Sequence, residues 1–176
     1  MFIKGLQVAL RATEPNDADI LYNWENDIKL WSVSNSQIPF SKFTIEEFVN
    51  AAHQDIYTNK QLRLMIVSTA NHETLGVIDL FEFDPQHNRC GLGIFVAENV
   101  RGKGIAKESI ELIKNYVFNI LHLKQLFVHV NASNLSSLQL FEKCGFEKSG
   151  LKKSWHKSSI NTYEDVWFMQ CYNSLA

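Results

Sequence analysis

The 176-residue sequence predicts an α/β fold, a mixed and mostly antiparallel sheet of about seven strands flanked by helices, in one domain over residues 1–176. Three features point to it. Strand-like runs at 62–68, 75–83 and 90–96 follow one another across short turns, as in an antiparallel meander. Ala106, Ile110, Ile113 and Val117 then recur at helical spacing, and the apolar run Leu126-Phe-Val-His-Val130 follows. A strand reached across a helix lies parallel to the strand before it.

The other elements follow in order. Val8 and Leu10 alternate with polar neighbours, giving a first strand over 6–11. Thr13-Glu-Pro-Asn-Asp17 is a turn, after which Ile20, Leu21, Trp24 and Ile28 mark a helix over about 17–27. Residues 30–41 show no clear period and read as an ordered loop or an irregular helix. Thr44-Ile-Glu-Glu47 fits a capping box that opens a further helix bearing Phe48, Val49 and Ala52. Gly91 and Gly93 inside the 90–96 strand suggest a bulge or a close backbone approach. Leu135, Leu138 and Phe141 share a face of a helix over 133–144 that ends at Gly145. Residues 146–151 and 162–172 read as closing strands, with 155–161 as a loop between them.

Charge and cysteine content narrow the function. Seventeen basic and nineteen acidic side chains leave a net charge of −2, which argues against nucleic acid as a partner. Cys90, Cys144 and Cys171 are far apart and form no C-x-x-C pair, which fits a reducing cytoplasm and neither a disulfide framework nor a metal site. Cys144, at a helix end, reads as a buried thiol rather than a nucleophile. No signal-peptide pattern or membrane-length apolar run is seen, so the expected location is cytoplasmic, with no membrane partner.

The stretch richest in chemistry is Val100-Arg-Gly-Lys-Gly-Ile-Ala106. Glycines let backbone approach a ligand closely, and a helix starting near Gly104 aims its free N–H groups and positive dipole end into the turn. Arg101, Lys103 and Lys107 add positive charge, so the turn reads as a cradle for phosphate.

Arg101-x-x-Gly104-x-Ala106 resembles the pyrophosphate-binding motif of the GNAT superfamily of N-acetyltransferases. Asn131-x-x-Asn134-x-x-Ser137-x-x-x-Phe141-x-x-x-Gly145-Phe146 resembles that family's second signature, and the spacing between the two blocks is also similar. Within the superfamily the chain resembles the RimJ/RimL-like and bacterial spermidine/spermine branch, the latter through Gly76-Val-Ile-Asp-Leu-Phe-Glu-Phe-Asp84. The resemblance implies a GNAT fold whose central strands splay into a V that takes acetyl-CoA, with no metal. It implies that Ile94, Phe95 and Val96 offer backbone to the pantetheine arm. Arg101, Gly102, Lys103, Gly104, Ile105 and Ala106 would hold the pyrophosphate. Asn134 and Ser137 would contact the pantetheine region, and Lys143 would approach the phosphates.

Acetyl transfer to an amine needs a base, because an amine with a pKa of about 10.4 is almost wholly protonated at neutral pH. Glu82, on the strand before the cofactor strand, is the candidate. Asp79 is a second, placed on the opposite face by strict alternation; Asp84 belongs to the turn. His129 reads as structural, and His156 falls in the loop, near the substrate site or at the surface. Two departures from the resembled enzymes stand out. Phe141 replaces a tyrosine proposed to protonate the leaving thiolate, and the loop Trp31-Ser-Val-Ser-Asn-Ser36 lacks the acidic residues suited to a polycation. The expected function is acetyl-CoA-dependent N-acetylation of a primary amine, a small di- or polyamine first. Ribosomal-protein N-termini, amino sugars and a non-catalytic acyl-CoA sensor are the alternatives. Relatives imply self-association.

Overall fold

The computed structural model describes residues 3–29, 31, 38–52, 54–159 and 161–173. Eight strands form a single sheet: β1 (Ile3–Lys4), β2 (Val8–Ala12), β3 (Leu62–Ser68), β4 (Thr74–Asp84), β5 (Arg89–Val96), β6 (Gln125–Asn131), β7 (Glu147–Ser159) and β8 (Thr162–Tyr172). Their spatial order is β1-β2-β3-β4-β5-β6-β8-β7. The expected count of about seven omits only β1, two residues paired to β2. Neighbours are antiparallel except β5 and β6, which run parallel as the helical crossover requires. Among the described residues no helix is long and apolar enough to cross a membrane.

Alternation along the strands divides two cores. Val8, Leu10, Leu64, Ile66, Ile78 and Leu80 pack on one face beneath α4 (Ile105–Asn119) and α5 (Leu135–Lys143). Their neighbours Ala9, Met65, Val67 and Val77 point to the other face, where Leu21 of α1 (Ala18–Glu25) and Ile45 and Val49 of α2 (Lys42–Ala51) cover them. A one-turn helix, α3 (Ile56–Asn59), capped by Asp55, leads into β3. Cys90, Cys144 and Cys171 are all buried, and burial pushes the Cys144 thiol up to about 11, so it is an inert core group.

Several boundaries differ from those expected. A short 3-10 turn (Pro15–Asp17) precedes α1, with Asp17 gripping Arg11 at 2.6 and 2.7 Å and accepting the Glu14 N–H. Helix α2 is capped by Ser41, which accepts the Thr44 N–H at 3.0 Å, so the helix begins before the expected cap at Thr44. Strand β7 continues through the expected 155–161 loop as far as Ser159, placing Trp155 and His156 on a strand. Of the expected 30–41 loop, residues 30 and 32–37, most of the serine-rich stretch, lie outside the described residues.

Candidate active site

Strands β5 and β6 share only three register pairs, Arg89 with Gln125, Cys90 with Leu126 and Gly91 with Phe127. Beyond Gly91 they part. The other edge of β5 stays paired to β4 as far as Val96 with Gly76. This leaves a V whose β5 wall is Leu92 to Val96 and whose β6 wall is Val128 to Asn131. Ile94, Phe95 and Val96 thus stand where main chain faces the gap, with Ile94 packed towards the α4/α5 core and Phe95 towards α1, its ring 5.0 Å from that of Trp24. The C-terminal ends of two parallel strands followed by helix N-termini are a common place for ligands.

The glycine turn lies at the open end of this V. Gly102 and Gly104 adopt left-handed conformations, φ 77° and 83°, which explains glycine at both. A Cβ at Gly102 would meet nothing within 4 Å, so the turn presents open backbone. Gly104 caps α4 without any side-chain bond, and Ile105 and Ala106 begin the first turn, whose N–H groups face outward along the axis. Arg101 ties the turn to the strand, its Nε donating to the Val96 carbonyl at 2.9 Å. Lys103 donates to the Asn99 carbonyl at 3.3 Å. Glu108, the one carboxylate in the first turn of α4, accepts the backbone N–H groups of Leu6 and Gln7, so its charge is occupied there. The amide of Gln7, a residue that no sequence motif marks, comes within 3.8 Å of where a Gly104 Cβ would sit. These groups fit the pyrophosphate of acetyl-CoA: backbone donors at a helix start, bordered by two basic side chains.

The second predicted block lies at the neighbouring helix start. Asn134 caps α5, accepting the Ser137 N–H at 3.1 Å and the Ser136 hydroxyl at 3.0 Å. Lys143 is exposed in the last turn of α5, and no contact among the described residues ties it to the glycine turn. Phe141 is 5% exposed and meets Phe146 edge to face at 5.2 Å.

Near the apex of the V the sheet carries aromatic rings on the face shared with α1 and α2, beyond the strands those helices cover. Phe81 of β4, Phe127 of β6 and Phe168 of β8 stand in a row with centroid separations of 5.9 and 5.6 Å. His129 joins them, 5.7 Å from Phe127 and 5.4 Å from Phe168. Glu82 adopts φ 48° at a bulge where the β4–β5 register shifts between Phe81 and Asp84. That extra residue resets the alternation: Phe83 returns to the α4/α5 core, and Glu82 is exposed and close enough to act on His129 electrostatically. Strict alternation therefore fails here, and the expected opposition of Glu82 and Asp79 does not hold.

Asp79 is committed elsewhere. It grips Arg63 through two bonds of 2.7 and 2.9 Å, while Glu25 takes a third guanidinium nitrogen. Burial opposes the Arg63 charge, but Asp79 and Glu25 outweigh it and hold the guanidinium firmly protonated. A hollow of about 180 Å³ lined by Phe48, Arg63, Asp79 and Phe81 opens beside the aromatic row. A larger one of about 390 Å³ lies between the Pro15–Asp19 stretch and α2, away from the V, and its rim holds the exposed Lys42–Asp19 pair. The smaller hollow adjoins the apex through Phe81.

His129 also meets a lysine. Lys152 of β7 places its Nζ 3.0 Å from His129 Nε2, and burial, with the Lys152 charge next, holds the imidazole below its ordinary pKa despite Glu82. His156 bonds Asn131 through Nδ1 at 2.7 Å. Lys152 escapes a reading of the sequence because it sits in a polar run, Lys-Lys-Ser-Trp-His-Lys, that looks like a strand end and loop.

Residues 7–147 match the family described as Acetyltransferase (GNAT) domain. A spermidine N(1)-acetyltransferase of Vibrio cholerae is 30% identical over 145 residues, covering 82% of this chain and 81% of that protein. The crystal structure of spermidine N-acetyltransferase from the same organism in complex with CoA and spermine superposes with a TM-score of 0.85, at 29% identity over 96% of each chain. A dodecameric structure of the Vibrio cholerae enzyme gives 0.77 at 26% identity over 94% of each chain.

Proposed function

Because the chain belongs to the GNAT acetyltransferase family and is an N-acetyltransferase that works with acetyl-CoA, we propose that it acetylates the primary amine of a small molecule at the apex of the β5–β6 gap. The observation that carries this reading is the parting of β5 and β6 beyond Gly91, with a glycine-lined helix start at the open end and titratable groups at the closed end. We take residues 1–176 as one acetyltransferase domain acting in the cytoplasm.

Acetyl-CoA supplies an activated acetyl thioester. The chain's own groups do the rest. Backbone N–H groups around Gly102 to Ala106 hold the pyrophosphate, with Arg101 and Lys103 beside them. Main chain at Ile94, Phe95 and Val96 lines the pantetheine arm, and Asn134 with Ser137 borders it from α5. Glu82 would take the proton of the incoming ammonium, directly or through water, so that the free amine reaches the carbonyl carbon; as the C–N bond forms the C–S bond breaks, and CoA leaves as the thiol with the second proton that the nitrogen gives up. Positioning both reactants in one cleft itself lowers the barrier by several kcal/mol, about 7–11 in favourable cases. Lys143 has the weakest claim to a place among these groups, being exposed and without a contact to the turn.

The relatives' names support a polyamine as the acceptor, and a protein N-terminus is the second reading. The dodecameric neighbour supports self-association. Thiol release from acetyl-CoA, measured with purified protein across diamines, spermidine, spermine, amino acids, peptide N-termini and amino sugars, tests the reading. Turnover with one amine class is expected. CoA binding without thiol release from any amine would favour a non-catalytic acyl-CoA sensor.

A further inference from the structure

The face that carries the aromatic row also holds an ammonium fixed beside it. On the face shared by the aromatic row, Lys152 sits with its ammonium against His129, 4.6 Å from the Trp155 ring centroid and 5.8 Å from that of Phe168. Its place is built by the strand. Register between β7 and β8 slips between Lys152 and His156, Ser154 turns to φ 48°, and Asp165 fixes the bulge by accepting the Ser154 N–H at 2.7 Å. Neutral His129 accepts from the ammonium through Nε2, so its other nitrogen carries the ring proton.

Among the described residues Lys152 enters no ion pair. The carboxylates on this side of the sheet are mostly occupied. Asp79 and Glu25 clamp Arg63, and Glu164 accepts the Ser133 N–H at 3.0 Å. Glu82 remains, and it is the proposed base. Of the β7 lysines, Lys148 is paired with Glu142 at 2.9 Å on the other face of the sheet, whereas Lys152 stands beside the aromatic row. A diamine or polyamine needs an anionic group for each ammonium, and like charges placed together cost several kcal/mol, about enough to reverse a preference.

We propose that Lys152, oriented by His129 between the Trp155 and Phe168 rings, is the subsite for an anionic oxygen group of the acceptor, so that the substrate is a primary amine on an apolar body ending in a carboxylate or phosphate. This rests on the amine-acetyltransferase reading above and replaces its polyamine acceptor, which the relatives' names alone support, with an anionic one. The amine end lies towards Glu82 and the anionic end towards Lys152, with the aromatic row beneath the apolar span.

The test compares kcat/KM, from thiol release, for γ-aminobutyrate, β-alanine and phosphoethanolamine, for the amide of γ-aminobutyrate, and for putrescine and spermidine. Wild-type protein is expected to favour an anionic amine over the amide and the diamine by about tenfold or more. Which of carboxylate and phosphate wins identifies the acid. Lys152→Met should raise KM for the anionic amine with little change in kcat, and Lys152→Glu should invert the ranking towards putrescine, with unchanged melting showing that both variants fold. A preference for putrescine or spermidine in the wild type, or a ranking unmoved by Lys152→Met, overturns the proposal. If no amine releases thiol, the acetyltransferase reading fails instead. Calorimetric titration of phosphoethanolamine into CoA-loaded wild-type and Lys152→Met protein then decides the subsite alone. Tighter binding to wild type supports it, and absent or equal binding overturns it.

Discussion

The rings of Phe81 and Phe127 meet edge to face, 89° between planes, above the backbone of Gly91, the last residue at which β5 and β6 remain paired. The glycine permits this contact: a Cβ there would lie 2.3 Å from Phe81 Cε2. Gly91→Ala should push the Phe81 ring aside and destabilise the fold by about 1–3 kcal/mol, the usual cost of overpacking. Denaturant unfolding measures this. An unchanged midpoint would mean that the aromatic row is loosely held.

Gly104→Glu should abolish CoA binding, because it puts a carboxylate among the N–H groups at the start of α4. The left-handed backbone, φ 83°, makes any side chain at Gly104 costly by about 1 kcal/mol. Calorimetry against CoA therefore needs a melting curve alongside it. Unchanged affinity in a folded variant refutes the cradle.

Glu82→Gln should preserve the bulge and lower kcat at neutral pH by about a hundredfold, with part of the loss recovered at high pH where more of the amine is free. A pH–rate profile of the variant matching the wild type would remove Glu82 as the base.

The strands nearest this site were the most legible part of the sequence. Leu62–Ser68 is legible at its observed bounds because apolar side chains on both faces leave little choice of register. The Glu82 bulge was not legible, since it depends on how β4 meets β5 and not on any local residue pattern. The start of α2 is ambiguous in sequence because Ser41 and Thr44 both offer a cap, and the packing of Ile45 and Val49 decides between them. The glycine turn was legible because its positive φ angles demand glycine. Lys152 was hidden because its partners, His129 and Phe168, lie far away in sequence.

Phe141→Tyr should be tolerated, and should raise kcat if loss of the CoA thiolate limits the rate. Thermal unfolding and steady-state rates measured together separate two placements of the new hydroxyl. A loss beyond about 2 kcal/mol would mean that it is buried in the core beside Phe146 without a partner.

Asp17 is 5% exposed, and its contacts with Arg11 and the Glu14 N–H outweigh the burial that opposes its charge, holding the carboxyl below its ordinary value of 3.8. The unfolded chain binds the proton more readily, so this stabilisation is complete above that value and disappears as the pH falls through the lower, folded one. Asp17→Asn should cost about 2 kcal/mol at pH 7, since Arg11 is only partly screened by solvent. The variant should also show a shallower loss of stability in acid, and an identical acid slope would exclude the pair as its source.

The sheet can also be viewed as two plates joined by a short seam, β1 to β5 on one side and β6 to β8 on the other. Only three register pairs stitch them at one end, while the other end gapes. A cofactor that threads main-chain-like amides into the gap would act as the missing stitches, bonded to both plates at once. Amide hydrogen exchange at Val128 to Asn131 should then slow on adding CoA, alongside that at Leu92 to Val96, although the two segments belong to opposite plates.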